Sequence, residues 1–133
     1  MRQSNYRNIK PTKALNSAQI TATATGDVID TQGYESVTIV VQTAAVSTAD
    51  GSNYFTAALY EDDAVGMGTE ALATTIIGTA PVINATTKAN TVFAFGYNGN
   101  KRYIRLKMVE TGTADAVVGA VAILGDPHNA PVV

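Results

Sequence analysis

The sequence predicts an all-β protein: an antiparallel β-sandwich, jelly-roll-like, with an extended N-terminal arm. Three observations carry this expectation. The 133 residues are rich in Thr, Val, Ala and Gly, a composition that favours strands and turns over helices. Apolar residues recur at every second position in several short runs, the spacing of half-buried strands. Six to eight such runs with turn residues between them point to a sandwich or jelly roll, with a small closed barrel as the alternative. No internal repeat of fixed period is present.

Taken in order, residues 1–13 (MRQSNYRNIKPTK) read as an arm and residues 14–133 as a single β-sandwich domain. The arm is polar, and Pro11 lacks a donor and restrains Lys10 before it. Fully extended it would reach about 40 Å, enough to cross a neighbouring subunit, although a tail without fixed structure fits the same composition. Leu15 to Thr25 has Thr-rich alternation and reads as a first strand, punctuated by Gly26-Asp27, with a short element starting at Val28-Ile29. Ser36 to Thr43 is the best strand of the first half, with Val37, Ile39 and Val41 sharing a face. Ala49 to Asn53 is a loop around an Asp-Gly turn. Tyr54 to Tyr60 follows, with Phe55, Ala57 and Leu59 on one side. From Glu61 to Ala89 no steady period survives; Thr69 could N-cap one helical turn over Thr69–Thr75.

The final third is the most legible. Thr91 to Tyr97 alternates, with Phe93, Phe95 and Tyr97 on one face. Asn98-Gly99 is a hairpin signal, enlarged here by Asn100. Arg102 to Val109 turns Ile104, Leu106 and Met108 inward and Arg105 and Lys107 outward. After Gly112, Ala116 to Leu124 is apolar on both faces, which suits a strand lying centrally or against another subunit.

Composition bounds the chemistry. At this length one domain can bury a substantial core without staples. There is no cysteine, one histidine (His128) and no tryptophan. No stretch approaches the roughly 20 apolar residues of a membrane span. The basic N-terminus runs into no apolar segment, so no secretory signal is expected and synthesis is placed in a cytoplasm. Net charge is only -2, yet the charges are segregated. Arg2, Arg7, Lys10 and Lys13 occupy the start. No Lys or Arg follows from Ala14 to Thr87 while acids accumulate, and Lys101, Arg102, Arg105 and Lys107 form a second basic cluster. Such asymmetry suggests an interaction arm or a charge-matched partner.

The search for reactive constellations yields no catalytic residue, metal site or cofactor. His128, within Asp126-Pro127-His128-Asn129, lacks the serine pattern of a hydrolase and the companion ligands of a zinc site. Glu61-Asp62-Asp63 lacks calcium-loop spacing and reads as a solvated turn. Gly66-Met67-Gly68 is a flexible loop rather than a dinucleotide fingerprint. Asn84-Ala85-Thr86 matches a glycosylation acceptor that would be inert without secretion. Lys101 to Lys107 interleaves bases and aromatics as nucleic-acid faces do. Its basic side chains fall on a strand's outward face, where they discourage edge pairing. The acidic overall balance, with a pI near 5.2, argues further against nucleic acid.

Gly99-Asn100-Lys101-Arg102-Tyr103-Ile104-Arg105, then Val118 to Pro127 and Ala130-Pro131-Val132, resemble the decoration, or cement, proteins of tailed-bacteriophage heads. The resemblance covers about forty residues of the chain. It implies a non-enzymatic virion structural protein, made in the bacterial host cytoplasm, that binds the outside of an icosahedral capsid and stabilises it by clamping neighbouring major capsid protein subunits. It also implies a homo-oligomer, dimer or trimer, with no nucleic-acid or membrane partner. The expected inter-subunit contacts lie in the arm (Arg2, Tyr6, Arg7, Lys10) and in the tail (Pro127, His128, Pro131). A phage tail or fibre component and a carbohydrate-binding β-sandwich module, displaying tyrosines such as Tyr54, Tyr60, Tyr97 and Tyr103, are the alternatives.

Overall fold

The computed structural model describes residues 4–132. A 3-10 turn (Tyr6–Asn8) precedes β1 (Lys10–Ile20), β2 (Ala24–Asp30), β3 (Tyr34–Thr48) and β4 (Tyr54–Asp62). Three two-residue strands follow, β5 (Ala71–Leu72), β6 (Ile76–Ile77) and β7 (Val82–Ile83), then a second 3-10 turn (Thr86–Lys88). The chain closes with β8 (Val92–Tyr97), β9 (Tyr103–Thr111) and β10 (Asp115–Pro127). One sheet has the order β1-β10-β3-β8-β6, and the other the order β2-β9-β4-β5, with β7 also on β4.

All ladders are antiparallel, and they nest: β1 pairs with β10, β2 with β9, β3 with β8, and β4 with β5 and β7. The chain is thus a long two-stranded ribbon rolled on itself, and the rolling adds the β10–β3 and β9–β4 ladders. This is a jelly roll, two packed sheets wound from Greek keys, and the antiparallel β-sandwich the sequence predicts.

The core follows from alternation. Val37, Ile39 and Val41 from β3, Phe55, Ala57 and Leu59 from β4, and Ile104, Leu106 and Met108 from β9 are all buried between the sheets, as their spacing requires. Phe95 and Tyr97 join them from β8, with Phe93 partly buried against the cluster. At roughly 1.5–3 kcal/mol for each large apolar side chain removed from water, this layer holds the sheets together.

Several sequence expectations need correction. Asn98-Gly99 does not close a hairpin, because β8 lies in one sheet and β9 in the other. The loop arches between sheets, and Gly99 is required because a Cβ there would sit 2.2 Å from the Tyr97 hydroxyl. The strand expected over Leu15–Thr25 is divided at residues 21–23, and Gly26 lies inside β2. There a Cβ would come within 2.0 Å of the Ala14 carbonyl oxygen, so this glycine serves a close crossing of backbones and not a turn. No helical turn forms over Thr69–Thr75. The Thr69 amide and hydroxyl bind the Asp62 carboxylate instead, and β5 follows at Ala71. The boundary drawn after residue 13 falls within β1, where Lys10 to Lys13 pair with Leu124 to Val121. β10 lies inside its sheet, but its outward face is only partly covered: Val117 and Ile123 are half-buried and Val121 remains 42% exposed.

Candidate interaction surface

One end of the sandwich gathers most of the residues singled out from sequence. The N-terminal segment 4–9, the loops 31–33, 63–69 and 98–102, and the tail 128–132 all emerge there, because β1, β3 and β9 start at this end while β2, β4, β8 and β10 finish at it. The two terminal segments are joined, with the Val132 amide donating to the Arg7 carbonyl at 2.9 Å. Tyr6, Arg7 and Asn8 face Ala130 and Pro131 across an open groove of about 540 Å3. Tyr6 is 68% exposed at its rim. The structure therefore brings Tyr6, Arg7 and Pro131 together.

The remaining candidates are placed differently. Lys10 is an exposed residue of β1 opposite Leu124. Pro127 is the last residue of β10, opposite Tyr34, so it belongs to the sheet and not to a free tail. His128 is tied back to the body: its amide donates to the Gly33 carbonyl at 2.8 Å, and its ring contacts the Glu35 carboxylate. Arg2 lies outside the described residues.

Beside His128 a polar cleft of about 410 Å3 opens between the loop 31–35 and the loop 97–102. Its groups are largely engaged with one another. The Tyr97 hydroxyl donates to Glu61 at 2.6 Å and accepts from the Lys101 amide at 3.2 Å. Burial, reinforced by the Glu61 carboxylate, pushes the Tyr97 phenol well above its ordinary range. Arg102 clamps Asp30 with two hydrogen bonds, and Lys101 pairs with Asp63.

The charge segregation of the sequence has its explanation here. All four cations of the second basic cluster have carboxylate partners from the acidic middle of the chain: Lys101 with Asp63, Arg102 with Asp30, and Arg105 and Lys107 both with Glu70. Lys107 and then Arg105 hold the Glu70 carboxyl below its usual range against the opposing effect of its burial. Lys107 also sits over the Tyr60 ring at 4.4 Å, and Arg102 over Tyr103 at 5.0 Å. The charge-matched partner of the basic strand is therefore the protein itself. Among the described residues, Arg7 and Lys10 have no ion-pair partner. No cluster of three or more metal-ligating side chains occurs among them either, and no helix is long and apolar enough to cross a membrane.

The two outer faces of the sandwich differ in kind. The outer face of the β2-β9-β4 sheet carries the Glu70 ion-pair network. That of the β1-β10-β3-β8-β6 sheet carries no such network among the described residues, only the Lys13–Asp27 pair at its β1 edge, at 3.1 Å. One cross-strand row reads Pro11, Ile123, Thr38, Gly96, Ile77, and the next Lys13, Val121, Val40, Ala94. These rows contain no carboxylate, and Ile77 and Val92 at their margin are 60% and 61% exposed. Spacing in β10 announces half of this surface, whereas its extension through Val40, Ala94 and Ile77 depends on strand order.

No family model matches the sequence. No curated protein matches it either. Among solved structures the chain is similar to one in "Structure of infectious bursal disease virus Gx strain", with a TM-score of 0.48 and 14% sequence identity. The match covers 92% of this chain and 33% of that one, so the chain spans about a third of the length of the protein it matches.

Proposed function

We propose that the protein is a non-enzymatic virion structural protein that binds the exterior of an icosahedral phage capsid and clamps neighbouring major capsid protein subunits. The observation that supports this most is the joining of the terminal segments at one end of a rigid sandwich, with Tyr6 exposed and Arg7 without an ion-pair partner among the described residues. An exposed aromatic and a free guanidinium beside a groove are the side chains from which protein contacts most often draw affinity. The resemblance of Gly99–Arg105 and Val118–Pro127 to head decoration proteins points the same way. A shallow contact of this kind suffices on a lattice, where repeated copies supply avidity.

The test is to add the purified protein to phage shells lacking it. Bound copies are counted by cryo-electron microscopy, and resistance of the shells to heat and low salt is measured. Removing residues 1–9 spares every residue of β1, so the shortened chain keeps its fold and should bind at least tenfold more weakly. Replacing Tyr6 and Arg7 with alanine should weaken binding in the same direction. No binding to shells, or binding with no gain in resistance, refutes the proposal. Unchanged affinity of the shortened chain removes the terminal groove from the mechanism.

A further inference from the structure

The sheet β1-β10-β3-β8-β6 ends differently on its two sides. Its β1 side carries the usual guards against unwanted strand pairing: Pro11, the charged Lys10 and Lys13, and breaks of register on either side of Leu15. Its other side does not. β6 covers only Tyr97 and Gly96 of β8, and Val92 to Phe95 continue beyond it.

Alternation shows which backbone groups this leaves open. The Thr43 amide donates to the Thr91 carbonyl at 2.9 Å, so the odd-numbered residues of β8 turn their polar groups toward β3. The Asn98 amide donates to the Thr75 carbonyl at 2.8 Å, so the even-numbered residues turn theirs the opposite way. Val92 and Ala94 therefore aim their N–H and C=O groups past the end of β6, where no strand of the described residues pairs with them. Both side chains are exposed. From Ala71 to Asn100 the sequence contains one charged residue, Lys88, and its ammonium is turned back onto the Val82 carbonyl at 2.5 Å.

We infer that this edge pairs with the same edge of a second copy of the chain, β8 against β8, antiparallel across a two-fold axis near Phe93. Val92 then faces Ala94 of the partner subunit and the reverse, forming about four ladder hydrogen bonds. Two features select a second copy over another protein. A two-fold axis brings every group near it against its own like, which a charge-free edge tolerates and a charged one does not. The open stretch is also self-complementary in length. The position beside Gly96 is filled by Ile77, and in this register it would face Asn90 of the partner subunit, where a left-handed φ of 51° carries the chain out of the strand. The pairing extends the carboxylate-free outer rows of both copies into one ten-stranded surface. It stands on the edge itself and is independent of any capsid.

The contact is small against the roughly 1,200 Å2 at which stable interfaces begin, so association is expected at high micromolar concentration. Sedimentation velocity and NMR-detected amide exchange are measured from about 10 μM to 1 mM. The mass should rise from 13.8 kDa toward twice that value. The Val92 and Ala94 amides should slow at least tenfold with concentration, while those of Phe93 and Phe95, bonded to β3, stay protected throughout. The double variant Val92→Lys, Ala94→Lys should remain monomeric with the Phe93 and Phe95 protection unchanged. A monomer at 1 mM overturns the inference, as does a dimer that survives both lysines. So does protection of the Val92 and Ala94 amides in dilute monomer, or protection that arises only when another virion protein is added. The wild-type amide measurement decides the matter even if the double variant fails to fold.

Discussion

Replacing Gly26 with alanine should destabilise the protein far more than its single added methyl suggests. Gly26 lies in β2 at a break of register with β9, where β2 also crosses β1. An added Cβ would stand 2.0 Å from the Ala14 carbonyl oxygen and 2.7 Å from that of Leu106, whereas such contacts do not fall below 3.0 Å. At least about 1 Å of movement is needed, and the obstructing atoms are backbone: Leu106 is held in the β9–β4 ladder, and Ala14 is fully buried at a register break of β1. Overpacking typically costs about 1–3 kcal/mol. With rigid backbone on two sides the expected cost is about 3 kcal/mol, which lowers the melting temperature by roughly 10 °C in a domain of this length. Gly66→Ala is the internal control: nothing lies within 4 Å of its Cβ position, so its stability should stay within about 0.5 kcal/mol of the parent. Urea unfolding followed by circular dichroism measures both. A Gly26→Ala protein within about 0.5 kcal/mol of the parent would refute the close crossing of β1 and β2.

Further outcomes follow from the polar groups. Asp30, Asp62 and Glu70 all have carboxyl pKa values held below the ordinary 3.8 or 4.5. The Arg102 hydrogen bond acts on Asp30 and the Lys107 hydrogen bond on Glu70; at Asp62 burial opposes the shift but the amides of Thr69 and Ala64 outweigh it. Depressed folded-state values mean that this stabilisation is fully present above the unfolded values and is lost as pH falls through the folded ones. Urea midpoints should therefore be level from pH 7 to about 5 and fall steeply below about 4; a level profile down to pH 3 would contradict the assignment. Glu70→Gln leaves Arg105 and Lys107 facing each other at about one-fifth exposure, and should cost about 1–2 kcal/mol, less in 1 M salt, by the same unfolding assay. Thr43→Val removes a buried hydroxyl that donates to the Lys88 carbonyl at 2.5 Å and accepts from the Thr91 amide at 3.1 Å, and should cost about 1–3 kcal/mol in urea unfolding.

The strands were legible where one face is apolar and the other polar. The alternation Val37-Ile39-Val41 and Ile104-Leu106-Met108 reports a period that burial alone imposes. Which strand pairs with which was not legible, because an Asn-Gly turn reads the same whether it closes a hairpin or arches between sheets. Gly26 and Gly99 were read as turn residues, yet both are small because another part of the chain lies against them, a fact that only the folded arrangement contains. The acidic middle and the basic strand were visible as separate blocks, and their cancellation through Glu70, Asp30 and Asp63 depends on strand order. At the candidate surface, Tyr6, Arg7 and Pro131 were chosen from opposite ends of the sequence and do converge. Pro127 and Lys10 instead turned out to be sheet residues, because β1 and β10 run longer than their apolar cores.

The nesting of the ladders has a consequence for how the molecule is made. β10 is the last strand of the sandwich in chain order, and it lies between β1 and β3. Until it emerges, the first and third strands have no common neighbour, and β1 waits for its ladder while the residues from Thr21 to Ala114 are translated at about 5–20 residues per second. Folding must then close the widest loop in the chain, which makes it slow relative to domains built from local contacts. The sandwich is therefore complete only once the chain has been made through Pro127. A chain ending before Asp115 should be a substrate for proteases and not a smaller version of the fold.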